Sequence, residues 1–134
     1  MSKLVGSYDH EKSENLDQYY SALGVPYIAR KMMSFTSPKL TIANNGDCWT
    51  ITTITRLRTL KLEFKLGEEY DEDMPGGTLK STTTMENDST LVTVSIGPEN
   101  TKIIRTYEAT DNGCVLTLKH EKSGTEGKRY FKKA

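Results

Sequence analysis

Residues 60–66 read Leu60-Lys61-Leu62-Glu63-Phe64-Lys65-Leu66. Even positions are apolar and odd positions are charged, the period-2 pattern of a strand with one buried and one wetted face. Gly67 breaks the strand, and similar punctuation recurs along the chain. Asn45-Gly46 joins Leu40-Thr41-Ile42 to Cys48-Trp49-Thr50-Ile51 as a tight hairpin. Pro75-Gly76-Gly77, Asn87-Asp88, Gly97-Pro98 and Asp111-Asn112-Gly113 mark further turns. From Lys39 onward the chain reads as strand after strand at regular spacing, which predicts an all-β, antiparallel up-and-down barrel.

Upstream the pattern changes. A short first strand is expected from about Lys3 to Glu11. Ser13 or Asn15 can then cap a helix, with Glu14 and Asp17 suited to its positive start. Leu16, Tyr19, Tyr20 and Leu23 follow at helical spacing, and Gly24 ends the helix. Pro26 suits the first turn of a second helix, whose apolar side is Ile28, Met32, Met33 and Phe35 and whose rim carries Arg30 and Lys31. Pro38 ends the region. This pair falls between the first and second strands and suits a lid over a barrel mouth. It is a helix-turn-helix by shape, but it offers no basic recognition face for DNA.

The totals bound the reading. A length of 134 residues is one domain, expected to span residues 1–134. Hydrophobic residues are only 35%, so a solid greasy core is disfavoured and a partly polar, partly wet interior would be tolerated. Eighteen basic residues balance 18 acidic ones, which leaves no global field for nucleic acid. Anion chemistry must come from individually placed Lys or Arg. Neither Cys48 nor Cys114 has a second Cys or His at metal-binding spacing, so two reduced thiols or a single disulfide stay open. Met1-Ser2-Lys3-Leu4-Val5 lacks a signal-peptide core, and Ser2 stands where N-myristoylation needs a glycine. No apolar run approaches the ~20 residues of a membrane span, so a soluble, cytoplasmic, monomeric chain is expected. The two histidines, His10 and His120, sit in no nucleophile motif, and no phosphate loop or metal cluster appears. No enzymatic activity, cofactor or metal is expected.

Alternation assigns faces in the last three strands. Leu116, Leu118 and His120 share one face; Ile103, Arg105 and Tyr107 share another; Arg129 shares a face with Phe131. If the apolar members point inward, Arg105 and Arg129 do too. A buried arginine without a partner is costly, so each needs an anion: a ligand carboxylate, which a guanidinium grips in bidentate fashion, or an internal carboxylate such as Glu69 or Glu72. The alternative is that the arginines face solvent.

Several stretches together resemble the intracellular lipid-binding family, the fatty-acid-binding and cellular retinoid-binding proteins. They are Gly6-Ser7-Tyr8 with Ser13-Glu14-Asn15-Leu16-Asp17, Leu23-Gly24-Val25 with Ala29-Arg30-Lys31, Asn45-Gly46-Asp47, Phe64-Lys65-Leu66-Gly67-Glu68-Glu69-Tyr70-Asp71-Glu72, Lys80-Ser81 and Arg129-Tyr130-Phe131. The resemblance implies a ten-stranded barrel with a two-helix lid and a hydrated internal cavity. It implies a carrier of a long-chain fatty acid or similar lipid carboxylate, with Arg105 and Arg129 matching the family's two carboxylate-binding arginines. It also places Leu16, Tyr19, Met32, Ile51, Thr53, Leu57, Leu60, Leu62, Ile103, Leu118 and Phe131 at the cavity or its portal.

The sequence departs from the family in ways that bear on the head group. The usual tyrosine two residues after the second arginine is Phe131, which has no donor. Leu57 replaces a portal phenylalanine, Leu16 an aromatic residue and His10 an apolar one. His120 is a candidate for the missing donor, or it bonds an ordered water. Arg30 and Lys31 on the lid suit transient contact with anionic membranes, or are an ordinary solvated face. A retinoic-acid carrier on the same fold is the nearest alternative. A membrane-surface structural protein is another, but it would want a more basic surface.

Overall fold

The computed structural model describes residues 3–56, 58–74 and 77–134. Leu57 and the Pro75-Gly76 part of the expected turn lie outside the described residues. The strands are β1 (Gly6–Glu14), β2 (Lys39–Asn45), β3 (Cys48–Ile54), β4 (Thr59–Lys65), β5 (Tyr70–Met74), β6 (Gly77–Asn87), β7 (Thr90–Ile96), β8 (Lys102–Ala109), β9 (Gly113–His120) and β10 (Thr125–Lys133). Two helices, α1 (Leu16–Ala22) and α2 (Tyr27–Ser34), lie between β1 and β2. The strands form one 10-stranded antiparallel sheet in the order β4-β3-β2-β1-β10-β9-β8-β7-β6-β5. Pairing of β1 with β10 joins the two halves and leaves β4 and β5 as the ends. Phe64 of β4 stacks on Tyr70 of β5 with ring centroids 5.1 Å apart, and the Gly67 N–H donates to the Thr83 carbonyl at 2.9 Å. The result is the nearly closed barrel that the regular spacing of strands and turns from Lys39 onward predicts.

Two features near the start of the chain differ from the sequence reading. β1 runs over Gly6–Glu14, later than the expected Lys3–Glu11. Lys3 instead enters a turn whose N–H donates to the Asp88 carbonyl at 2.9 Å, and the buried Tyr8 hydroxyl donates to the Leu4 carbonyl at 2.6 Å. A register shift between His10 and Lys12 then lets the strand continue until Ser13 faces Arg129 and Glu14 faces Lys128. The expected side-chain cap of α1 is also absent. Asn15 precedes the helix at φ 56, and its amide donates across to the Glu126 carbonyl of β10 at 2.7 Å. That bond pins the helix start to the barrel instead of capping it. Gly127 permits the close approach: a Cβ there would lie 3.0 Å from the Leu16 side chain and 3.2 Å from that of Tyr19.

The interior is divided. An apolar floor contains Leu4, Tyr8, Leu40, Ile42, Trp49, Ile51, Phe64, Leu91, Tyr107, Cys114 and Phe131. A second cluster beneath α1 contains Leu16, Tyr19, Leu79, Ile103 and Leu118. Between them one wall is polar: Ser81, Thr83, Thr93 and Ser95 are buried on the inner face of β6 and β7. Their hydroxyls pair across strands, Ser81 with Ser95 and Thr83 with Thr93, each at 2.7 Å. This satisfies groups that would be costly to bury alone. The low hydrophobic content therefore goes with a polar inner wall.

Candidate ligand-binding cavity

The alternation in the last three strands is reproduced. Ile103 and Tyr107 are buried with Arg105 between them, Cys114, Leu118 and His120 are buried on β9, and Arg129 and Phe131 are buried on β10. Both arginines enter the barrel, and they meet different partners.

Arg105 is neutralised inside the protein. Its Nη1 donates to Glu72 Oε2 at 3.0 Å, its Nη2 pairs with Glu72 Oε1, and Nη2 also donates to the Ser95 hydroxyl at 3.0 Å. Ser81 donates to the same carboxylate at 2.8 Å. Of the two internal carboxylates that the sequence left open, Glu72 is buried and paired while Glu69 is exposed. Burial works against the Arg105 charge, but Tyr107 and the Glu72 carboxylate outweigh it and hold the guanidinium protonated beyond its usual range. Burial also pushes the Tyr107 phenol up to about 12, against the pull of Arg105. Among the described residues, Arg105 Nε is the buried side-chain polar atom left without a hydrogen-bond partner.

Arg129 has neutral partners. Nη1 donates to the Thr36 carbonyl at 3.1 Å, and Nη2 donates to the Met33 carbonyl at 2.7 Å and to the Thr36 hydroxyl at 3.1 Å. Its guanidinium thus reaches from β10 to the last turn of α2 and to the strap that leads from α2 into β2. Among the described residues no carboxylate forms an ion pair with it, so Arg105, Glu72 and Arg129 leave one uncompensated positive charge in the interior. Burial, then the charge of Arg129, holds the nearby His10 imidazole below its ordinary pKa.

Two cavities adjoin at this guanidinium. The outer one, about 270 Å³, is lined by Tyr20, Met32, Met33, Thr36, Thr53, Thr55, Arg58, Leu60 and Arg129. The inner one, about 170 Å³, shares Tyr20, Thr36, Thr53, Thr55 and Arg129 with it and reaches Leu40, Arg105, Tyr107, Leu116, Leu118 and Phe131. Of the residues expected at the cavity, Met32, Thr53, Leu60, Leu118 and Phe131 line one or both spaces. Leu16, Tyr19 and Ile103 pack in the cluster beneath α1, while Ile51 and Leu62 belong to or lean on the apolar floor. Leu57 lies outside the described residues. His120 Nδ1 is 2.7 Å from the Ser123 hydroxyl in the β9–β10 turn. His120 pairs with Thr125 and Arg129 with Leu116, a separation of four strand residues, roughly 13 Å.

The lid presents an unexpected face. Ile28, Met32 and Phe35 of α2 and its C-terminal end are 75%, 54% and 81% exposed, so most of the apolar side meets solvent instead of packing into the mouth. Arg30 and Lys31 converge on Asp17 Oδ1 at 2.8 and 3.2 Å, and both also lie over the Tyr27 ring. Arg56 and Arg58, in the β3–β4 turn, are exposed. No helix among the described residues is long and apolar enough to cross a membrane.

Comparison with known proteins places these features in a family context. The profile of the Lipocalin / cytosolic fatty-acid binding protein family matches residues 5–120. The fatty acid-binding protein of Tyrophagus putrescentiae is 35% identical over 99% of this chain and 99% of its own length. Human fatty acid-binding protein 9 is 36% identical over 89% of this chain and 96% of its own length. Among solved structures, a Schistosoma mansoni fatty acid binding protein in complex with arachidonic acid superposes with a TM-score of 0.92 at 26% identity, covering 100% of this chain and 98% of that one. The fatty acid-binding protein from Drosophila melanogaster brain gives 0.88 at 33% identity, covering 97% and 99%.

Proposed function

Because the chain belongs to the lipocalin / cytosolic fatty-acid binding protein family, we propose that it carries one long-chain fatty acid inside the barrel, with the carboxylate at Arg129. The observation that carries this reading is the charge balance of the interior. Arg105 is matched by Glu72, whereas Arg129 is buried at 6% exposure, faces a largely apolar space and is met by neutral groups among the described residues. A monoanionic lipid supplies the charge that the site lacks, and its chain supplies the apolar surface. The two curated relatives described above are named for fatty acids and one solved relative holds arachidonic acid, which favours a fatty acid over a retinoid.

The protein acts as a monomeric carrier in the cytoplasm and does not transform its ligand. It gives up the ligand during brief contact with anionic membranes through α2 and the β3–β4 turn. The exposed Ile28, Met32 and Phe35, flanked by Arg56 and Arg58, suit such a surface. The test is denaturing mass spectrometry of lipids extracted from the purified protein, joined to displacement of a fluorescent fatty acid. A bound fatty acid is expected. Recovery of no lipid, together with no displacement, would contradict the reading.

A further inference from the structure

We infer that Thr36, on the strap between α2 and β2, is the head-group contact that takes the place of the hydroxyl missing at Phe131. This rests on the carrier reading above. The Arg129 guanidinium extends to Met33 and Thr36, away from its own strand. Phe131 lines the inner cavity but carries no donor. Tyr20, Thr36, Thr53 and Thr55 bring hydroxyls to both cavities. Of these, Thr36 is the one hydrogen-bonded to the Arg129 guanidinium among the described residues, at 3.1 Å.

The Thr36 hydroxyl is free to change acceptors. It accepts from Arg129 Nη2 and donates its own proton to the Met33 carbonyl at 2.9 Å. Arg129 Nη2 serves that same carbonyl at 2.7 Å. Rotation about Cβ–Oγ1 can therefore turn the Thr36 proton toward a carboxylate without leaving the Met33 carbonyl unpaired. A carboxylate seated on Arg129 is then held by the guanidinium from β10 and by a hydroxyl from the lid strap. Ligand occupancy and the position of residues 33–36 are coupled through this contact, which a hydroxyl on β10 could not achieve.

The test compares displacement of a fluorescent fatty acid by oleate and by oleyl alcohol, which share a chain and differ in the head group. Thr36→Val keeps the shape and removes the hydroxyl; Thr36→Ser restores it. Thr36→Val is expected to weaken oleate by about tenfold, as for loss of a hydrogen bond to a charged group, with oleyl alcohol unaffected and Thr36→Ser recovering the acid. Unchanged oleate affinity in Thr36→Val, alongside a loss in Arg129→Gln, would overturn the role of Thr36 and leave the carrier reading standing. Equal loss of acid and alcohol would also overturn it, since Thr36 would then only shape the cavity. Failure of the wild-type protein to bind oleate would remove the carrier reading, and this inference with it.

Discussion

Arg105 and Glu72 face each other inside the barrel as a two-point ion pair, with Nη1 of one 3.0 Å from Oε2 of the other. The Glu72 side chain is 6% exposed. A buried pair of this kind adds little net stability but is costly to break, because removing one partner strands the other charge. Glu72→Gln is therefore expected to lower unfolding stability by about 3–5 kcal/mol in urea titrations. The double variant Glu72→Leu/Arg105→Met should recover most of that loss. A single variant as stable as the wild type would contradict the pairing.

Gly113 is fixed by its neighbours across β9 and β10. A Cβ at this position would lie 2.7 Å from Lys132 Cα and collide with the Phe131 carbonyl, and neither group can yield without moving the strand. Gly113→Ala should cost about 3 kcal/mol as an overpacked contact. Gly127→Ala, whose Cβ would stand 3.0 Å from Leu16 Cδ2 and 3.2 Å from the Asn15 carbonyl oxygen and Tyr19 Cβ, should cost less. Urea midpoints in the reverse order would contradict the strand spacing.

The barrel was legible in the sequence because strand alternation has only two phases. One phase gave the inward set Ile103, Arg105, Tyr107, Leu118, His120, Arg129 and Phe131, and the structure reproduces it. The same parity singles out Glu72 with Tyr70 on β5, but the surrounding run of Glu68, Glu69, Asp71 and Asp73 reads as solvated, so Glu69 could not be set aside. The helices were read less well. Apolar spacing on α2 suggested an inward side, yet the barrel already has its apolar floor and α1 takes the second cluster, which leaves Ile28 and Phe35 in solvent. The strap contacts of Arg129 are mostly to backbone carbonyls, which no side-chain pattern encodes. Position 36 carries an ordinary Thr in a connection, where periodicity gives no direction.

His10 supplies a pH dependence with a definite sign. Burial first, and the Arg129 charge second, lower its folded pKa below the ordinary 6.5, while a backbone bond at Lys12 opposes them. The unfolded chain therefore binds this proton more readily than the folded one. The contribution is present above pH 6.5 and is lost as pH falls through the lowered folded value. Between about pH 7 and 5 the wild-type Tm should fall more steeply than that of His10→Gln. Oleate bound at Arg129 should narrow the difference by cancelling part of the field. Parallel curves for the two proteins would contradict the assignment.

Asp17 restrains the cations of the lid. Arg30 and Lys31 both reach its carboxylate, which lies below the usual carboxylate range chiefly through the hydrogen bond from Arg30. Asp17→Asn leaves both cations unpaired beside the exposed apolar face of α2. Sedimentation with phosphatidylserine vesicles should increase severalfold, and the increase should vanish at high salt. No change at low salt would show that membrane contact does not run through this face.

The most direct measurement of the central claim is calorimetric titration of oleate and oleyl alcohol into the wild-type protein and Arg129→Gln. One oleate per barrel is expected, with the alcohol far weaker and Arg129→Gln removing most of the difference between the two. Equal affinity for acid and alcohol in the wild-type protein, or an undiminished preference for the acid without Arg129, would contradict a carboxylate site built on that guanidinium.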